Sequence, residues 1–208
     1  MDPKLDGLIK EGYCLFEDVL SDDLLRRLRV ASDKLLDENE TEHKDTNQGN
    51  LAFMQFQDPA FLDLITWPGA LAVLSRLGFD RPRFWSGFAI AKERGETPLY
   101  WHQDWAFWDE PEAADHMPHQ LFFMYYLTDT QVENGCLRLI PKSHRQRFDL
   151  HEHLGKGHDS DIRHTDDHRH PLFSEHSAEI DVSINAGDLV VGDARLLHSA
   201  HTNQTGER

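Results

Sequence analysis

A chain of 208 residues with 39% hydrophobic and 28% charged side chains has the makeup of a soluble globular protein, long enough to bury a core without disulfides or a structural metal. Its 37 acidic residues against 21 basic ones leave a formal charge of −16. That balance argues against a nucleic-acid partner and against an anionic membrane surface, both of which require clustered Lys and Arg.

Residues 1–38 read as helical around one short insertion, GYCLFEDVL at 12–20, which is apolar and aromatic enough for an edge strand. Ser21 before Asp22 and Asp23 supplies an N-cap and an acidic first turn. Leu24, Leu28, Ala31 and Leu35 then fall on one helical face. Residues 39–50 are polar and read as a loop. A second helical block follows, DPAFLDLITW and then PGALAVLSRLG, restarted by Pro68 and closed by Gly78. From Arg83 onward the pattern changes to strands: FWSGFAIAK, PLYWHQDWAF, QLFFMYYLTD, CLRLIPKSH, EIDVSI and DLVVGDARLLH. Helices followed by serial strands predict a single mainly β domain, a sandwich or barrel, with an N-terminal helical part (1–80) packed outside one face of a core spanning 83–208.

Cys14 and Cys136 lie far apart inside apolar runs, a pattern of buried free thiols in a reducing compartment. MDPKLDGLIKEGY lacks a basic stretch leading into an apolar one, and no apolar run is long enough to cross a bilayer. A cytoplasmic location is the expectation.

YWHQDWAFW, residues 100–108, is the densest chemical signal. On a strand, His102 and Asp104 project to the same side and Gln103 to the other. A third ligand must come from a distant segment. His198 directly follows an apolar run, and His201 lies close by. Two imidazoles and one carboxylate on one face of a metal, with the remaining positions open, is the arrangement of non-haem Fe(II) oxygenases. The bland reading of His102 and Asp104 is a structural hydrogen bond inside an aromatic strand. Residues 145–178 hold seven of the 14 histidines, but their spacing fits no compact zinc pattern and no Cys accompanies them. A charged, solvated insertion is expected there.

Several segments resemble the phytanoyl-CoA dioxygenase family of Fe(II)/2-oxoglutarate oxygenases. GYCLFEDVLSDDLLRRLR is similar to its first strand and helix, WHQDW carries the His-x-Asp pair, NGCLRLIPKSH resembles the strand that follows, and GDLVVGDARLLHSAHTN resembles the segment with the distal ligand. The resemblance implies a double-stranded β-helix, a cupin-like jelly roll, with Fe(II) held by His102, Asp104 and His198. His198 is preferred to His201 because Asn203 stands at the customary offset. It implies 2-oxoglutarate as cosubstrate, O₂ as oxidant and a small-molecule substrate, with no nucleic acid or membrane partner. Trp101, Trp105, Phe107 and Trp108 would form a dry wall, and the 145–178 insertion would lie over the active site as a lid. The cosubstrate's far carboxylate would meet a basic residue, Arg208 or one following it, with a further strand beyond Arg208; Gln103 and Lys92 are additional contacts. Met124 stands where many relatives have Trp, and Lys142 where Gly is common. Related halogenases lack the carboxylate and leave room for chloride, so Asp104 implies hydroxylation. Two other classes compete: a non-catalytic binding protein on the same barrel, and a metal-dependent isomerase or lyase needing no oxo acid. Residues following Arg208 discriminate the first, and anaerobic activity the second.

Overall fold

The chain is described from a computed structural model covering residues 2–38, 50–54, 56–95, 97–105, 107–108, 110–154, 162 and 169–206. Helix α1, Pro3–Glu11, starts where the Asp2 carboxylate accepts the Lys4 N–H at 2.7 Å and Pro3 occupies the first turn, which needs no donor. It stops at Gly12, whose φ of 91° is left-handed and whose N–H returns to Leu8 O. Strand β1, Tyr13–Phe16, follows, then α2, Asp22–Glu38, with Leu24 N–H on Ser21 Oγ and the stripe Leu24, Leu28, Ala31 and Leu35 buried. Helices α3, Pro59–Ile65, and α4, Pro68–Arg76, each begin on a proline.

The remaining strands are β2, Asn50–Phe53; β3, Phe88–Ala91; β4, Leu99–His102; β5, Leu121–Tyr125; β6, Leu137–Leu139; β7, Ile180–Val182; β8, Leu189–Asp193; and β9, His198–Ala200. All pair antiparallel. One sheet runs β1-β8-β5, a second β4-β9-β6-β7, and β2-β3 form a ribbon. Phe122 and Val190 from the first sheet pack against Leu137 and Leu139 from the second, so the two sheets share an apolar interior. The first sheet's other face is covered by Leu8 of α1, Val73 of α4 and Leu77 just past it, packed on Cys14, Phe16, Leu189 and Val191. Helices outside one face of a β core is the expected arrangement, and β1 lies at a sheet edge as its sequence suggests.

Two expectations are corrected. DLVVGDARLLH is two strands in different sheets. The Asp193 carboxylate takes the Arg195 N–H and Nε at 2.9 Å and Nη2 at 2.6 Å, and Leu196 N–H returns to Asp193 O, so the chain turns between β8 and β9. The 145–178 segment, where it is described, exposes most of its polar side chains as expected but is also docked on the β core. Leu150, Leu172 and Phe173 are buried against Trp101, Ile140 and Leu197, in a cluster separate from the interior shared by the two sheets. The amphipathic pattern of this segment was masked by its charge. Of its histidines, 158, 164 and 168 lie outside the described residues, and no metal-capable group among the described residues includes any of the others.

Lys142 has φ 70°, a left-handed conformation that costs a residue with a Cβ about 1–2 kcal/mol. Its N–H is held by Glu11 O at 3.0 Å, and the left-handed φ makes this a turn that would suit glycine.

Candidate metal centre

The β4–β9 ladder pairs Leu99 with Ala200 and His102 with His198, so three steps on β4 oppose two on β9. This bulge places His102 directly across from His198, with ring centroids 4.0 Å apart. Asp104 lies past the strand end, and the β8–β9 turn grips the chain on both sides of it. The Gln103 amide donates to Arg195 O, and the Trp105 N–H donates to Ala194 O at 2.9 Å. The buried Asp193–Arg195 fork therefore sets the turn, and the turn sets the angle at which Asp104 enters.

Asp104 Oδ1 is 3.9 Å from His102 Nε2, and its Oδ2 is 3.7 Å from His198 Nε2. Both imidazoles are buried. His102 Nδ1 meets Tyr100 O at 2.9 Å and His198 Nδ1 meets Leu196 O at 3.0 Å. A carbonyl only accepts, so each Nδ1 carries the hydrogen and each ring turns its Nε2 toward Asp104. Two ring nitrogens, each under 4 Å from a carboxylate oxygen, suit a divalent cation, and the Nδ1–carbonyl bonds are the outer partners that orient metal-binding histidines. The donor set, two nitrogens and one oxygen without sulfur, fits Fe(II).

Phe122 of β5 backs this centre, its ring 4.8 Å from that of His198. It lies flat across β8 because its ladder partner is Gly192; a Cβ at 192 would fall 1.9 Å from the ring. Asp193, Arg195 and Gly192 are positioning residues that the sequence reading missed. Their signal was present in the GDAR break of an otherwise apolar run.

The other predicted residues are placed elsewhere. The Lys92 ammonium is directed to the carbonyls of Thr97, Ala200 and His201, a clamp on the chain that follows β9. Gln103 lines a cleft of about 690 Å³ with Trp108, Arg145, Arg147 and His151, and none of the three converging residues lines it. Burial holds His151 in this cleft below the usual imidazole pKa. Trp101 is corrected as a wall of the centre: its indole N–H goes to Ser174 O, and Arg138 stacks over the ring at 4.7 Å. Trp105 is buried with an indole N–H that meets no acceptor among the described residues, whereas Phe107 and Trp108 are largely exposed. His201 is turned from Asp104 and bonds Asp181 at 2.6 Å. Arg208 lies outside the described residues.

The comparisons bear on the fold and the family. The chain superposes on a non-haem α-ketoglutarate-dependent carbocyclase, SnoK from nogalamycin biosynthesis, with a TM-score of 0.71 and 22% identity, over 100% of this chain and 80% of that one. HygX from Streptomyces hygroscopicus, solved with nickel and 2-oxoglutarate, gives 0.70 and 18% over 100% and 82%. EctD from S. alaskensis, solved with 2-oxoglutarate and 5-hydroxyectoine, gives 0.69 and 20% over 99% and 72%. At such identities these likenesses speak for the fold. Comparison with curated proteins finds no match. Residues 9–208 match the family model described as phytanoyl-CoA dioxygenase (PhyH), and the chain belongs to that family.

Proposed function

We propose that this protein is an Fe(II)- and 2-oxoglutarate-dependent dioxygenase that hydroxylates a small molecule at a C–H bond, with release of succinate and CO₂. The observation that carries the reading is the pair of tautomer-fixed histidines facing one carboxylate, His102 and His198 around Asp104. Iron bound there would supply the oxidative decarboxylation of the oxo acid and the attack on the C–H bond. The chain's own part is to orient and to exclude water. The backbone carbonyls of Tyr100 and Leu196 fix the two rings, the β8–β9 turn aims Asp104, and Phe122 supplies an apolar backing. Three protein ligands leave positions for a bidentate oxo acid and O₂. Arg208, or a basic residue after it, would pair with the far carboxylate. Asp104 fills the position a halide would need, which favours hydroxylation. The two facing sheets are read as a double-stranded β-helix in one domain. No described helix is long and apolar enough to cross a membrane. The proposed location is the cytoplasm, on the pattern of two buried free thiols.

The test is anaerobic loading with Fe(II) and 2-oxoglutarate, followed by air. Succinate should form slowly without any substrate, and should not form in Asp104→Ala. Absence of succinate from iron-loaded protein with an intact C-terminus would overturn the reading. A second reaction class deserves the same assay, because the fold is shared with proteins described as a carbocyclase and as the epimerase SnoN. With a substrate in hand, hydroxylation adds one oxygen to its mass, ring closure removes two hydrogens, and epimerisation changes nothing.

A further inference from the structure

Beyond the centre between the sheets, a second set of donors gathers on the other face of β4-β9-β6-β7. Leu137 pairs with Ala200 and with Val182, and Arg138 with Asp181 and with Ser199. Leu137 and Leu139 face the shared interior. Side chains alternate, so Cys136, Asp181 and His201 belong to the opposite face, on three adjacent segments. The His201 N–H donates to Cys136 O at 3.0 Å, which locks that end of the ladder. One donor atom from each of Cys136, Asp181 and His201 lies within 4.8 Å of the other two. We propose that these three residues form a second metal site, for Zn²⁺ or a similar borderline divalent ion, that staples β6, β7 and the end of β9.

A thiol, an imidazole and a carboxylate together suit Zn²⁺ or Co²⁺, and do not suit Ca²⁺ or Mg²⁺, which take oxygen ligands. Tetrahedral bonds of about 2.0–2.3 Å separate ligand atoms by roughly 3.3–3.8 Å. The three donors lie within 4.8 Å of one another, so the ion draws Cys136 in by at most about 1–1.5 Å, while His201 Nε2 and Asp181 Oδ1, now at 2.6 Å, must part by about 1 Å. Asp181 can give that distance, since its strand β7 is paired only with β6 among the described residues and its carboxylate is 44% exposed. Its exposure also supplies the way in. His201 lines a cavity of about 240 Å³ with Glu175, Thr202 and Gln204, which has room for a water as fourth ligand. Cys136 is fully buried, and an ion that binds it must displace the thiol proton. Binding therefore exchanges the thiol S–H for an S–metal bond and releases one proton to solvent. Arg138, the neighbouring cation, is engaged by Glu179 and stacked on Trp101.

Co²⁺ is the probe. Anaerobic titration of the full chain should give a near-ultraviolet thiolate-to-Co(II) charge-transfer band, which a site of two histidines and one aspartate cannot produce. Cys14 lies on β1 in the other sheet, away from these donors. The band should persist in the double variant His102→Ala/Asp104→Ala and vanish in Cys136→Ser, with proton uptake by a pH indicator reporting one proton per ion. Absence of the band at saturating Co²⁺, or its survival in Cys136→Ser, overturns the proposal. Should Cys136→Ser fail to fold, His201→Gln and Asp181→Asn decide: loss or a shift of the band in both supports the site, and an unchanged band in both overturns it. Neither result bears on succinate formation at the other centre.

Discussion

His198 and His201 are three residues apart at the end of one strand and belong to two different chemical settings. His198 faces the interior between the sheets, its ring fixed by Leu196 O and backed by Phe122, and it meets a carboxylate at 3.7 Å with room for an ion between. His201 faces the other side and holds its carboxylate at 2.6 Å, a hydrogen bond already made. The inner site is organised in advance of any ion, because each ring is oriented by the backbone carbonyl two residues before it. The outer one has to exchange existing bonds for new ones. Pre-organisation, more than residue type, separates a reaction centre from a staple.

The largest effect should come from removing an inner ligand. His198→Ala leaves one ring and one carboxylate. We expect iron-dependent succinate formation to fall by more than about 100-fold, beyond what loss of an outer orienting partner costs. A His198→Ala variant that retained full turnover would erase the distinction between the two histidines.

Next comes the fork that aims the inner site. Asp193 and Arg195 are both buried, with side chains 2% and 3% exposed, and the fork closes the turn from which Ala194 and Arg195 hold residues 103–105. Replacing one member strands the other charge, so Asp193→Ala should destabilise by about 3–5 kcal/mol. Urea denaturation of the metal-free chain measures it, and the same variant should weaken iron binding because Asp104 loses its aim.

Gly192 sharpens the comparison at lower cost. A methyl there meets Phe122 ring carbons at 1.9–2.5 Å, so the ring must leave its seat beside His198. Gly192→Ala should cost about 1–3 kcal/mol by overpacking. Adding Phe122→Leu should recover part of that loss, a coupling visible in a double-mutant cycle. Additive losses would show that the ring and residue 192 do not press on one another.

How much of this was legible in the sequence follows the range of each signal. Helix ends were readable where capping is local, at Ser21, Pro68 and Gly78, each of which acts within a turn; the caps Asp2 and Asp58 act in the same way and went unread. The gathering of residues 102, 104 and 198 was an expectation from a motif and a resemblance, and the register that sets His102 opposite His198 depends on a bulge that no residue of β4 announces. Gln103 and Lys92 carry polar side chains suited to a cosubstrate, yet backbone carbonyls recruit them, a competition that only the folded chain decides. The split of DLVVGDARLLH was hidden because Leu196 and Leu197 are as buried as the strands around them. Charge misled at 145–178, where three apolar side chains among many polar ones suffice to dock the segment.

The smallest effect expected is a gradual one with pH, carried by histidines of neither site. His144 and His151 are both held below the usual imidazole value of 6.5, in each case mainly by burial. The folded chain therefore keeps these rings neutral at a pH where the unfolded chain has begun to protonate them. Their contribution is complete above about pH 6.5 and declines as pH falls from there toward the lowered folded values. Thermal melts of metal-free protein should accordingly drop as the buffer is taken from about pH 7.5 to about 5.5. His144 Nε2 lies 3.0 Å from Ile9 O and donates to it, so His144→Gln, which keeps a donor there without a titrating ring, should flatten the slope. If the slope in that variant matched the parent while His151→Gln also left it unchanged, burial of these two rings would not be the source of the acid sensitivity.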